Sequence, residues 1–365
     1  MRLMALLIIV FAVTTIGLPQ TKRFAIGDFY SDNAELTKAV DDAFGKLTDS
    51  QRVAQMVISV AGRLGRPTET VDALIQEQYI GGVLLLNGTK QSFSDLVKRF
   101  NDIALKTGMP GMLYSADAEP SLFNMKIKDT VEVPDTIDIK DAFQAAAVAE
   151  IIARELREIG IQQDYAPVVD TAFNDAIISY RSFGTDESKI IASARSFSLA
   201  LQSNGIVATA KHFPGHGNVK GDSHKERVYI DGEMTELQPY RELIDAGVIS
   251  IMIGHINVNN NDKYGTNGLP STCSRNIVTG LLKEELGFNG IIVTDAMWMK
   301  ALTGVENPDL AAAKAGCDMI LMPSDERKCH NDILAEIGKD AAFKEQVYAS
   351  VKKILRLKLC LGIMQ

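Results

Sequence analysis

Short, mostly apolar runs alternate with amphipathic segments along most of this chain. Seven of the runs predict buried strands, because their apolar residues follow one another and do not alternate with polar ones. This pattern is typical of parallel sheets that are covered on both faces. They cover residues 81–86, 111–117, 163–168, 207–212, 250–256, 290–295 and 317–322. We expect an eighth strand within a weaker segment.

The segments between the runs carry apolar residues at helical spacing. The predicted helices cover residues 33–46, 52–62, 93–106, 142–160, 189–204, 237–246, 277–286, 309–315 and 343–361. Glycines stand directly before several strands, as Gly205, Gly247 and Gly316 do, and glycine commonly ends a helix. This alternation predicts an α/β fold, a single (β/α)8 TIM-type barrel, with a doubly wound open sheet as the alternative.

Length, charge and the first residues refine this picture. The chain has 365 residues and a formal net charge of −8. Because it has no basic cluster, we expect no nucleic-acid partner. Residues 1–22 hold one early positive charge and a short apolar run, which predicts a signal peptide or an N-terminal anchor and no other stable membrane insertion. We assign residues 30–365 to one catalytic barrel domain.

Polar residues gather at the predicted carboxyl ends of the strands, which is where barrel active sites lie. These residues are Asp117, Glu119, Asp170, Lys211, His212, His255 and Asp295. Each one alone fits a helix cap, a turn or a structural hydrogen bond equally well. Their convergence around one barrel axis favours a site.

The motif search narrows the chemistry. The chain has no GxSxG and no HExxH sequence. His212 and His216 are spaced like helical metal ligands, but Pro214 lies between them, so we expect no metal site. The four cysteines are scattered, and the sequence leaves their pairing open. Carboxylate chemistry remains: an aspartate nucleophile on a strand end, and His224 on a loop as acid/base, oriented by Asp222.

Residues 211–224 read KHFPGHGNVKGDSH. This stretch resembles the signature KH-[FI]-PG-[HL]-GxxxxD-[ST]-H of the β-N-acetylglucosaminidase branch of glycoside hydrolase family 3. Further similar stretches, in the same order as in the family, are 51–56, 81–86, 164–170, 180–184, 254–256, 281–290, 292–300 and 315–322. The resemblance covers nearly everything after residue 46 and is closest to the single-barrel form.

The resemblance implies a role for each matching position. Asp295 is then the nucleophile that forms a glycosyl-enzyme, and His224 is the acid/base with Asp222 as its partner. The implied residues that bind sugar hydroxyls are Asp117, Arg181, Lys211 and His212. The family also implies retention of anomeric configuration and no metal or organic cofactor.

One region departs from the family pattern. Relatives carry D-x-E-G-G-x-V-x-R after the second strand of that pattern, whereas this chain keeps Asp117 and Glu119 but lacks both glycines and the arginine. This loop shapes the rim of the sugar pocket in relatives. Its replacement therefore bears on the sugar specificity.

The combined expectation is a retaining exo-β-N-acetylglucosaminidase acting on GlcNAc-terminated glycans or peptidoglycan fragments. The alternatives are a β-glucosidase, β-xylosidase or β-N-acetylglucosaminide phosphorylase of the same family, and an inactive sugar-binding relative. We expect an exported, periplasmic or extracellular monomer whose partner is a carbohydrate substrate.

Overall fold

Eight parallel strands form the centre of the molecule, seen in a computed structural model that describes residues 24–364. They are β1 Val57–Ala61, β2 Gly82–Leu85, β3 Leu113–Ala116, β4 Gln163–Asp164, β5 Val207–Phe213, β6 Ser250–Ile253, β7 Ile291–Thr294 and β8 Ile320–Leu321. Neighbours follow chain order from β1 to β7, and β8 pairs with β1. A parallel bridge between Val293 and Met319 brings β7 back to the segment before β8. The sheet is therefore a nearly closed barrel, which confirms the predicted (β/α)8 class, and the open doubly wound sheet is wrong.

Helices surround the barrel. The α-helices are α1 Ala34–Gly45, α2 Asp49–Ala54, α3 Thr68–Gln76, α4 Lys90–Thr107, α5 Pro120–Lys126, α6 Ala142–Ile159, α7 Glu187–Ser203, α8 Gln238–Asp245, α9 Pro308–Ala315, α10 Glu326–Ile337 and α11 Ala341–Leu361. A π-helix covers Asn276–Glu285. Outside the barrel, Gly88–Thr89 pairs with Ile127–Lys128, and Val228–Asp231 pairs with Ile256–Asn259.

The predicted helix over residues 52–62 is wrong in its second half. Helix α2 ends at Ala54, and the same segment then forms β1, the eighth strand that the pattern left unplaced. All five residues of β1 are buried, so the apolar run has no exposed face from which periodicity could distinguish strand from helix. The predicted strands 163–168 and 317–322 also shorten to β4 and β8, and helices α3, α5 and α10 were not predicted.

Helix α11 reaches the amino-terminal end of the barrel. Asp340 caps this helix by accepting from the backbone amides of Ala342 and Phe343. Near its other end, the Lys358 ammonium donates to Gln55 Oε1 at 2.7 Å and to the Gly81 carbonyl at 2.8 Å. These two acceptors precede β1 and β2, so this buried lysine connects α11 to the start of the sheet.

The sequence leaves the pairing of the four cysteines open. In the structure, each of the four is a buried free thiol. The predicted signal peptide or anchor over residues 1–22 lies outside the described residues. Between residues 24 and 364, no helix combines the length and the apolar character needed to span a bilayer.

Candidate active site

A cavity of about 220 Å³ opens at the carboxyl ends of the barrel strands. Its apolar wall includes Leu84 of β2, Met252 of β6 and Leu321 of β8. The predicted site residues that line it are Asp117, Arg181, Lys211, His212, His224 and Asp295. The structure therefore brings six of the seven together. Asp222 contacts one of the six, His224, from outside the lining.

Asp295 directly follows β7. Its backbone amide donates to the Ile253 carbonyl at 2.9 Å, and its Oδ1 accepts from the Ala296 amide at 2.7 Å. Burial raises the pKa of this carboxyl, but nearby groups, including the Ala296 amide that donates to Oδ1, outweigh burial and hold the pKa below its ordinary value. Asp295 is thus held as a carboxylate, the form that nucleophilic attack by an aspartate requires.

His212 is oriented by Asp170, a strand-end residue for which the sequence predicts no specific role. The His212 ring approaches Asp170 Oδ2 through Nδ1 at 2.7 Å, and the backbone amides of His212 and His216 donate to the same carboxylate. Burial lowers the pKa of His212 to about 3, so the ring is neutral at pH 7. With its proton on Nδ1 facing Asp170, the ring has Nε2 available as a hydrogen-bond acceptor.

Alternating charges surround Asp117. The Lys211 ammonium contacts Asp117 Oδ1 and lies 3.1 Å from Glu119 Oε2. Arg181 contacts the same glutamate through its guanidinium. Burial raises the pKa of Asp117, but the cations, chiefly Lys126 and Lys211, lower it well below its ordinary range. The cluster therefore offers ionised acceptors and charged donors, the groups that bind sugar hydroxyls.

Lys126 is a functional candidate that the sequence analysis did not identify. It is the last residue of α5, the helix formed by the segment that departs from the family pattern. Pro120 at the first turn of α5 favours the helix, because proline has no amide hydrogen to leave unpaired there. The Lys126 ammonium contacts Asp117 Oδ2 and lines the cavity. The sequence does contain one indication of this role: Lys126 is a cation that stands one position after the place where relatives carry the arginine.

His224 and Asp222 form a pair on the loop after β5. Asp222 Oδ1 lies 2.9 Å from His224 Nδ1 and accepts from the His224 backbone amide at 2.9 Å. Lys225 contacts the other carboxylate oxygen at 2.9 Å. The His224 side chain is 55% exposed, whereas Asp295 lies within the barrel mouth. The imidazole can therefore exchange protons with solvent between chemical steps.

A buried network anchors this loop. His216 Nε2 lies 2.9 Å from Ser223 Oγ, and its Nδ1 accepts from the Asn174 side-chain amide at 3.1 Å. Glu236 accepts from the Thr171 amide at 2.7 Å and from the Asn218 amide at 3.0 Å. His216 thus has a structural role, because both of its ring nitrogens contact residues that hold the loop. Asn174 and Glu236 were missed, since no local motif connects them with the loop.

His255 supports the segment that follows β7 and does not line the cavity. Its Nδ1 lies 2.6 Å from Thr272 Oγ1, and its Nε2 lies 3.0 Å from the Ala296 carbonyl. This matches the structural reading considered for that histidine. Within residues 24–364, no group of three or more histidine, cysteine, aspartate or glutamate side chains is arranged to hold a metal ion.

The barrel and its cavity define the class of the molecule: a (β/α)8-barrel enzyme whose polar groups meet at the carboxyl ends of the strands. The sequence matches the family described as "Glycosyl hydrolase family 3 N terminal domain" over residues 48–357. The chain therefore belongs to glycosyl hydrolase family 3, and it is a glycosidase.

Three relatives illustrate the range of the family. A "Beta-hexosaminidase" of Nitrosospira multiformis is 31% identical over 282 residues, which are 72% of this chain and 77% of that protein. A "Beta-N-acetylglucosaminidase/beta-glucosidase" of Cellulomonas fimi is 28% identical, over 81% of this chain and 55% of that protein. The solved glycoside hydrolase family 3 β-N-acetylglucosaminidase of Paenibacillus sp. str. FPU-7 superposes with a TM-score of 0.79 at 28% identity. It covers 87% of this chain, and this chain spans 63% of it.

Proposed function

We propose that the protein is a retaining exo-β-N-acetylglucosaminidase. The observation that carries this proposal is Asp295, an ionised carboxylate at the end of β7, in one cavity with the loop imidazole His224. A glycosidase of the retaining type needs a nucleophile and a separate proton donor on the two sides of the bond that is cleaved.

The proposed reaction has two steps. In the first, a carboxylate oxygen of Asp295 forms a bond to the anomeric carbon while His224 gives its proton to the departing glycosidic oxygen. In the second, His224 takes a proton from water, whose oxygen bonds to the anomeric carbon and releases Asp295. Asp222 orients the imidazole through its contact with Nδ1. Two inversions at one carbon give net retention.

The charged cluster around Asp117 supports a terminal sugar as the bound group. Lys211 and Arg181 line the cavity as donors, Asp117 lines it as an acceptor, and neutral His212 accepts through Nε2. These groups are buried or nearly so, which leaves little room for chain extension beyond the sugar ring. We infer exo-action on GlcNAc-terminated glycans, including peptidoglycan fragments.

The decisive assay compares aryl β-N-acetylglucosaminide with the matching aryl β-glucoside. We expect release from the first at a rate at least about tenfold higher, with the β-anomer as the initial product by NMR. Asp295→Ala serves as the inactive control. Equal release from both sugars contradicts the assignment to GlcNAc, and release from neither contradicts the glycosidase activity proposed for this site.

A phosphorylase is the second candidate, and one observation favours it. The proposed acid/base is an imidazole that shares its cavity with two lysines and an arginine, and an imidazole does not repel an anionic acceptor as a carboxylate would. Assays with and without inorganic phosphate separate the two functions. Hydrolysis predicts free sugar at an unchanged rate, whereas a phosphorylase produces sugar 1-phosphate at a rate that rises with phosphate.

We also propose export of the protein, on the basis of residues 1–22. N-terminal sequencing of the protein from the producing cell tests this. A mature chain that begins after this segment, or a membrane-attached chain that retains it, agrees with the proposal. An intact N-terminus in the cytosolic fraction contradicts it.

A further inference from the structure

Two residues mark the mouth of the cavity. Among the described residues that line it, only His224 and Trp298 are exposed; 55% of the His224 side chain and 40% of Trp298 are accessible to solvent. Trp298 is also the only tryptophan in the chain. A large aromatic residue at the mouth of a polar cavity exposes apolar surface that a ligand can cover.

The backbone around Trp298 is fixed. The Met297 amide donates to the Leu321 carbonyl at 2.9 Å, and the Met299 amide donates to the Ala296 carbonyl at 3.1 Å. Both methionines are buried, while the indole between them is not. The segment after Asp295 therefore presents Trp298 outward from an anchored base, so that ordering it upon ligand binding requires little loss of entropy.

The position of His224 decides which part of a substrate reaches Trp298. The acid/base must contact the oxygen between the terminal sugar and the leaving group, so the leaving group lies beside His224 at the mouth. Trp298 is the other exposed residue there. One face of a pyranose ring consists of C–H groups, which suit the flat apolar face of an indole.

We propose that Trp298 forms a leaving-group subsite in which its indole stacks on the pyranose ring that departs. The occupant is a sugar ring joined to the terminal residue, so the subsite favours disaccharide and glycan substrates over those with small leaving groups. This inference rests on the proposed function in taking His224 as the proton donor.

The kinetic test uses two donors, a disaccharide of β-linked GlcNAc and β-N-acetylglucosaminyl fluoride, whose leaving group has no ring. We expect Trp298→Ala to lower kcat/KM for the disaccharide about tenfold, mainly through KM, and for the fluoride less than threefold. Trp298→Phe, which keeps an aromatic face, should retain most of the wild-type kcat/KM for the disaccharide. Phe143→Ala removes an aromatic residue that is 85% exposed at the start of α6, and it controls for general effects. Equal losses for both donors overturn the proposal.

Fluorescence gives a second readout that does not depend on turnover. Because the chain has one tryptophan, its emission reports on Trp298 alone. In Asp295→Asn, the disaccharide should shift the emission to shorter wavelength, whereas monomeric GlcNAc at equal saturation should do so much less. A shift without turnover of either donor by the wild-type enzyme supports the subsite and contradicts the proposed function. Turnover without a shift contradicts the subsite.

Discussion

Two buried lysines at opposite ends of the barrel have different surroundings. Lys211, near the carboxyl end of β5, is 2% exposed and lies between Asp117 and Glu119. Burial lowers its pKa, but the two carboxylates raise it above the ordinary value. Lys358, at the amino-terminal end, is fully buried against two uncharged acceptors, and burial lowers its pKa from 10.5 to about 7.

The difference separates a binding end from a structural end. A buried ammonium keeps its charge only where carboxylates compensate for lost hydration. The chain supplies these carboxylates around the cavity, and the resulting cluster has charged donors and acceptors that a ligand can use. At the amino-terminal end, a lysine that loses its proton near neutral pH can still donate to Gln55 and Gly81, but it offers little charge to a ligand.

The largest effect is expected from removing the charge at the binding end. Lys211→Met leaves Asp117 and Glu119 without a shared cation, and loss of one partner from a buried ion pair typically costs about 3 kcal/mol or more. We expect kcat/KM to fall at least about 100-fold, as measured with aryl β-N-acetylglucosaminide. Lys358→Met is the matched control, and an equal loss of activity in that variant contradicts the distinction between the two ends.

A somewhat smaller effect is expected at the mouth, from Asp222→Asn. The substitution removes a carboxylate oxygen that contacts His224 Nδ1 and orients the imidazole, so kcat/KM should fall about 10- to 100-fold for leaving groups that need protonation. The loss should shrink for leaving groups of low pKa, which depart without a proton. A plot of rate against leaving-group pKa measures this.

Lys225→Met provides the control for that experiment, because it removes only an exposed ion pair with Asp222. We expect it to change the rate less than twofold. A loss in Asp222→Asn that is the same for every leaving group shows that Asp222 serves the fold of the loop and not proton transfer.

A moderate effect is expected from Lys126→Met, which removes the second cation beside Asp117. We expect kcat/KM to fall about tenfold, because one charge-assisted contact is lost while Lys211 still holds the aspartate. Lys128→Met is the matched control, since Lys128 is exposed and donates to the Asn124 carbonyl at 2.9 Å. An unchanged KM and kcat in Lys126→Met contradict a role for α5 in sugar binding.

The smallest effect on activity, and a distinct effect on stability, is expected from Lys358→Met. The pKa of Lys358 is lower in the folded than in the unfolded state, so the unfolded chain binds more protons between pH 7 and pH 10. The wild-type free energy of unfolding should therefore gain a positive contribution as the pH rises through this range. Lys358→Met should lose that contribution, as urea unfolding at several pH values would show. An identical pH profile in both proteins contradicts the lowered pKa.

The sequence predicted the barrel because repeated apolar runs and glycine-terminated helices are local features. It could not place β1, since Val57–Ala61 is buried on all sides and has no polar face to set a period. Six of the seven predicted site residues reach one cavity because strand ends in a barrel converge by topology.

The missed site residues depend on contacts between distant segments. Asp170 and His212 pair across 42 residues, and Glu236 reaches Thr171 across 65. Lys126 reaches Asp117 only because the intervening segment folds into α5, a helix that the family pattern does not indicate. The opposite pKa shifts of Lys211 and Lys358 cannot be predicted from the local sequence either, because the groups that contact each lysine come from remote parts of the chain.

The central claim is that Asp295 forms a covalent bond to the anomeric carbon of GlcNAc. A 5-fluoro-β-N-acetylglucosaminyl fluoride reacts through the first step and slows the second, so the intermediate accumulates. After rapid acid quench and proteolysis, mass spectrometry should find the fluorosugar on the peptide that contains Asp295, and on no peptide in Asp295→Ala. A label on Asp117 or Glu119, or turnover of the reagent without any labelled peptide, would contradict the account.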